Sequence, residues 1–182
     1  MKASLALKKR QIVLDEEING ESIFKCLFFL YKLIDIDKKL GEKQPIEILI
    51  NSNGGDLSEG FALISLIEIM KNSGYKIITT NIGKACSMAF VIAISGSERR
   101  SYKFARYLFH GVSYGYEGFH QEIKEKAQAI EELEQMMIDY VGEHSNISRE
   151  KMLDVIERKQ DWNINPKSMK ELKGVDIICE KI

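Results

Sequence analysis

Three short segments of this 182-residue chain carry side chains able to act in concert on an acyl group. Gly83-Lys84-Ala85-Cys86-Ser87-Met88-Ala89 sets one hydroxyl among small residues, and the apolar run Phe90-Val91-Ile92-Ala93-Ile94 follows at once. A serine so flanked, on a bend between a strand and a helix, exposes its oxygen, and N–H groups at the helix start face developing negative charge. Ser87 is therefore a candidate nucleophile. A hydroxyl is a weak nucleophile at neutral pH and needs a base within hydrogen-bond reach. The chain has three histidines. His120 opens a charged helical stretch and His144 lies in the polar run Glu143-His144-Ser145-Asn146, whereas His110 ends the apolar run Tyr107-Leu108-Phe109 and precedes a glycine-rich loop. His110 is the candidate base. Oxyanion donors are expected from the N–H groups of Gly55, in the turn Asn51-Ser52-Asn53-Gly54-Gly55, and of Met88, beside the nucleophile. Losing one such donor typically costs about 2.7–4 kcal/mol. A third group must fix the imidazole tautomer. Asp161, before Trp162 and expected to be partly buried, competes with Asp154 among 27 acidic residues, and residue types leave that choice open. Cys86 is a rival thiol nucleophile, although adjacent residues point in different directions and cannot both face one base.

The elements that must hold these groups follow from periodicity. Gln11–Leu14 and Ile46–Ile50 read as strands, Lys76–Thr80 as another and Arg106–Phe109 as a fourth, with a last one near Val175–Cys179. Apolar residues at helical spacing predict helices over Glu21–Lys39, from Asp56 to about Asn72, over Glu122–Val141 and over Ser148–Arg158. Asp56 and Glu59 have capping-box spacing, and Asn165-Pro166 is an N-cap followed by proline at the first helical position. Residues 83–89 read as a turn and 111–118 as a loop. Strands alternating with helices predict an α/β fold with parallel strands. Sites in such sheets lie at the carboxyl ends of strands, where Gly54-Gly55, Ser87 and His110 each fall.

Composition narrows the function classes. Apolar residues make up 45% of the chain and charged residues 29%, the profile of a globular protein, and one domain is expected over residues 1–182. The formal net charge of −1 gives no broad field toward nucleic acid or an anionic membrane. Cys26, Cys86 and Cys179 have no paired spacing, which fits a reducing compartment, and a cytoplasmic location is expected. Ile123, Ile130 and Met137 would form an exposed apolar stripe along the long helix, so an oligomer that covers it is expected.

Taken together, these segments resemble the ClpP family, the proteolytic subunits of ATP-dependent Clp proteases. The family's I-N-S-P-G-G turn is matched by Ile50-Asn51-Ser52-Asn53-Gly54-Gly55. Its G-x-A-A-S-M-G turn is matched by Gly83 to Ala89, and its M-I-H-Q segment by Leu108-Phe109-His110-Gly111. Its R-D-aromatic motif and later G-L-x-D correspond to Gln160-Asp161-Trp162 and Gly174-Val175-Asp176. Asn53, Cys86, Ala89 and Gly111 depart from the pattern yet leave every catalytic atom type present. The resemblance implies a ClpP/crotonase-like α/β fold of repeated β-β-α and βαβ units with a protruding handle, about residues 111–145, preceded by a groove-lining strand near Gly111–Gly118. It implies Ser87 as nucleophile, His110 as base, Asp161 as orienter, and Gly55 and Met88 as the oxyanion hole. It also implies no cofactor or metal in this subunit, heptameric rings stacked as a tetradecamer, unfolded polypeptide as substrate, and a partner AAA+ Clp ATPase that uses the ATP. With nine residues before Arg10, a short axial loop is expected.

Two further readings stay in view. A ring subunit of this fold without activity would serve assembly. A crotonase-like acyl-CoA enzyme would use the two-amide oxyanion hole without a Ser–His pair.

Overall fold

The computed structural model describes residues 8–113, 115 and 117–180. Its elements are β1 (Gln11–Leu14), α1 (Gly20–Leu40), β2 (Ile46–Ser52), α2 (Leu57–Asn72), β3 (Ile77–Cys86), α3 (Met88–Ala93) and β4 (Glu98–Tyr102). They continue with β5 (Arg106–Phe109), α4 (His120–His144), α5 (Arg149–Glu157), β6 (Trp162–Ile164), α6 (Pro166–Glu171) and β7 (Ile177–Cys179). The strands form one sheet whose main path runs β1-β2-β3-β4-β7 with parallel neighbours, and the expected α/β fold is present.

Local chemistry sets the boundaries. Asn19 caps α1 by accepting from the Glu21 and Ser22 N–H groups, both at 3.0 Å, and Ser22 Oγ accepts the Asn19 N–H. The helix ends at Gly41 in the left-handed region (φ 69°), a C-cap conformation that glycine adopts without the steric penalty of a Cβ. Asp56 caps α2 through the Glu59 N–H at 2.9 Å. The reciprocal half of the box does not form: the Asp56 N–H donates to Ile18 O at 2.8 Å, in a short bridge beside Gly55. In β2 every second residue is buried, the period of a strand packed more fully on one face. α3 is buried along its whole length, so the helix behind Ser87 is itself core.

Three expectations are corrected. Residues 83–86 are not a turn but the second half of β3. The strand is long because its first half pairs with β4 and its second half with β5, across a register irregularity between Ile50 and Ser52 of β2. Helix and strand do not alternate throughout: β4 passes to β5 without a helix, and β5 pairs with β6 antiparallel. No strand forms among the described residues of 111–118, and Tyr114 and Tyr116 of that expected strand lie outside them.

Candidate active site

Ser87 sits where β3 hands over to α3. Its backbone has φ 54° and ψ −127°, a region that L-residues rarely occupy and that costs of order 1–3 kcal/mol. Two bonds hold it there. The Ser87 N–H donates to Leu108 O at 2.8 Å, one step past the last β3–β5 pair, and the Phe90 N–H donates to Ser87 O at 2.9 Å. The hydroxyl makes no capping bond to α3. Met88 is the first helical residue, so its N–H is among those a helix leaves without an internal partner.

The glycine turn after β2 comes against this bend from the other side. A methyl group on Gly54 would lie 2.5 Å from Cys86 O, 2.7 Å from Ser87 Cβ and 3.1 Å from Met88 N. Gly54 also has φ +94° and Gly55 φ +147°, so both the close approach and the backbone demand glycine. Ser52 Oγ accepts the Gly54 N–H at 3.1 Å and donates to Glu16 O at 2.6 Å, which ties the turn to the segment that follows β1.

His110 is the first residue after β5, two beyond the carbonyl that holds Ser87. β5 and β6 pair with Phe109 opposite Trp162, and one more step along that register brings His110 opposite Asp161. Asp161 is exposed, which corrects the expectation of partial burial; β6 is an edge strand, and the residue before it faces solvent. Its charge is nevertheless felt inside: it raises the Cys86 thiol, though less than burial does, while Lys84 opposes both. Among the described residues no hydrogen bond joins Ser87 to His110 or His110 to Asp161. Catalytic hydrogen bonds are often open in sites without substrate.

Ser87, His110, Gly54 and Gly55 line one open groove of about 1040 Å³. Its far wall is apolar and comes from α4 through Ala129, Ile130, Leu133 and Met137, with Lys126 at the same wall and Glu17 and Asp56 opposite. The rival groups fall elsewhere. Asp154 pairs with Lys151 and Arg158 on the outer face of α5. His120 is exposed at the start of α4. His144 ends α4 stacked on Tyr140 at 3.9 Å. Cys86 has its thiol pushed up by burial, which lowers its thiolate fraction. Two positions escaped sequence reading: Leu108, whose carbonyl accepts the Ser87 N–H, and Glu134 of α4, whose carboxylate accepts the Val112 N–H at 2.8 Å. Neither carries a residue-type signal, since one acts through its backbone and the other is one acid among many.

A parallel sheet with a strained serine between strand and helix, a glycine turn against it and a histidine at the next strand end defines the class. The family model for Clp protease matches residues 2–179, and the chain belongs to that family. The chain is 33% identical over 124 residues to ATP-dependent Clp protease proteolytic subunit 2 of Borreliella burgdorferi, covering 66% of this chain and 58% of that protein. It is 30% identical over 148 residues to the protein of the same name from Treponema denticola, 80% of this chain and 70% of the other. Against the ATP-dependent Clp protease proteolytic subunit of Dehalococcoides mccartyi the identity is 26% over 180 residues, 98% and 86% of the two chains.

Proposed function

We propose that this chain is a serine endopeptidase that cleaves unfolded polypeptide inside a ring-shaped oligomer. In this reading Ser87 Oγ attacks the scissile carbonyl carbon while His110 takes its proton. The Gly55 and Met88 N–H groups receive the oxyanion. His110 then passes the proton to the leaving amine as the C–N bond breaks, leaving an acyl ester on Ser87. Water, deprotonated by His110, hydrolyses that ester and restores the serine. Asp161 orients the imidazole and stabilises its charged form. The observation that carries the reading is the Ser87 bend: a non-glycine residue at φ 54°, pinned by the strand that ends just before His110 and faced by a two-glycine turn. Strain held at one serine is hard to account for in a helix start with no other task.

The lack of a hydrogen bond from Ser87 to His110 or from His110 to Asp161 among the described residues fits a site completed on assembly. Membership of the Clp protease family supports a ring oligomer that works with a Clp ATPase; heptamers stacked as a tetradecamer, and a chain that itself binds no cofactor, complete the proposal. A cytoplasmic chamber is part of this reading, and no helix among the described residues is long and apolar enough to cross a membrane. A fluorophosphonate probe is expected to label the wild type, and Ser87→Ala to abolish both labelling and peptide cleavage. Undiminished labelling of that variant would overturn the assignment and move the nucleophile to Cys86. A wild type inert to the probe that co-purifies in mixed rings would favour the assembly role instead.

A further inference from the structure

We infer that Glu134 is a positioning residue for His110; the inference rests on the peptidase reading above. Glu134 lies on the face of α4 that also carries Met137, Ile138 and Val141, at the spacing that brings helix residues into line. Those three are buried in the core. A carboxylate on the core-facing stripe runs against burial, which favours apolar groups there. Among the described residues no salt bridge compensates it. It bonds to the backbone instead: Oε1 accepts the Val112 N–H at 2.8 Å, the charge-assisted kind of hydrogen bond a carboxylate makes.

The place of that bond matters. β5 ends at Phe109, and no described residue from 110 to 119 belongs to a strand. His110 is thus held on its N-terminal side by the β3–β5–β6 ladder and on its C-terminal side by what grips the next two residues. Gly111 passes between two helices: a methyl built on it would meet Ile156 of α5 at 3.2 and 3.3 Å and Glu134 Oε1 at 3.5 Å. Val112 follows, fixed by Glu134, and both His110 and Val112 face the groove. The grip itself is firm. One to two turns further along α4, Tyr140 donates to Glu68 of α2 at 2.6 Å, and Met137, Ile138 and Val141 are packed in the core. Glu134 therefore transmits a fixed frame to the backbone from which the imidazole projects. Misplacing a catalytic group by an ångström costs up to about 10²-fold in rate.

The experiment compares wild type with E134A, E134M and E134Q in the assembled protein, using a fluorogenic peptide and a fluorophosphonate probe. Alanine and methionine keep helix propensity but cannot accept the Val112 N–H, whereas the glutamine amide oxygen can. E134A and E134M are expected to lower kcat about tenfold with KM within about twofold, and to slow Ser87 labelling by the same factor. E134Q is expected to stay within about twofold of wild type in both. Hydrogen exchange at the Val112 amide is expected to quicken in E134A and E134M and not in E134Q. Wild-type kcat and labelling in E134A and E134M would overturn the inference. So would E134Q falling as far as alanine, or a lowered Tm with full activity in the folded fraction. A wild type that neither cleaves nor labels fails the peptidase reading itself; an active wild type with indifferent variants fails this inference alone.

Discussion

Gly54 is the residue whose replacement tests the site most directly. Its φ of +94° strains any side chain, and a Cβ would press on backbone atoms of Cys86 and Met88 that cannot swing aside. Gly54→Ala is expected to destabilise the fold by about 1–3 kcal/mol. It is also expected to lower kcat/KM at least about 10²-fold, because the glycine turn would be pushed off the oxyanion position. Denaturant unfolding and peptide cleavage measure the two effects, and near-wild-type cleavage would separate Gly54-Gly55 from the chemistry. Much of this was legible in residue types: Ser87, His110 and the glycine pair each follow an apolar strand, and the structure brings all three to one groove. Asp161 was not legible from types, since its claim rests on the β5–β6 register, a long-range pairing that composition does not encode.

At the scale of elements, the link that steadies α4 makes a prediction about acid. Burial pushes the Glu68 carboxyl up, yet hydrogen bonds from Lys71 and Tyr140 and the charges of Lys71 and His144 outweigh it, so the group ends below the usual carboxylate range. A group with a lowered folded pKa stabilises the fold above its unfolded value, and that contribution is lost as pH falls through the folded value. The Tm is therefore expected to fall as pH drops below about 4.3, the ordinary glutamate value, and Glu68→Gln should flatten that part of the profile. Tyr140→Phe, which removes one donor from Glu68 at 2.6 Å, is expected to cost about 1 kcal/mol near neutral pH. An acid profile of Glu68→Gln that overlays the wild type would discount the link. Helix ends were legible because caps are local: Asp56 and Asn165 do what their types suggest. β4 was missed because Arg99 and Arg100 look like loop residues, whereas in the fold they pair with Asp176 and Glu98. β6 was missed because three residues cannot display a period.

Over the whole molecule, the apolar surface left uncovered argues for more than one copy. The expected stripe of Ile123, Ile130 and Met137 divides: Met137 is buried within the chain, Ile130 lines the groove, and Ile123 remains 38% exposed. Sequence spacing could not separate them, because all three share one helix face and only the end of α4 past residue 130 meets the core. The opening turns of α4 are exposed throughout, with Phe119 just before them 81% exposed. A second apolar face lies on α1, where Phe24, Phe28 and Tyr31 stand at helical spacing with Phe24 67% exposed. Two separate faces of this kind suit an assembly with two kinds of contact, one around a ring and one between rings. The wild type is therefore expected to sediment at many times the 20.8 kDa of one chain. Ile123→Glu, which puts a charge on the start of α4 away from the core, is expected to split that species to roughly half its mass with little change in Tm. Peptide cleavage by the smaller species should fall, since α4 also walls the groove and carries Glu134. Sedimentation of the wild type at the monomer mass would remove the ring from the reading. An Ile123→Glu variant of undiminished mass would instead keep the ring and free α4 from the contact between halves.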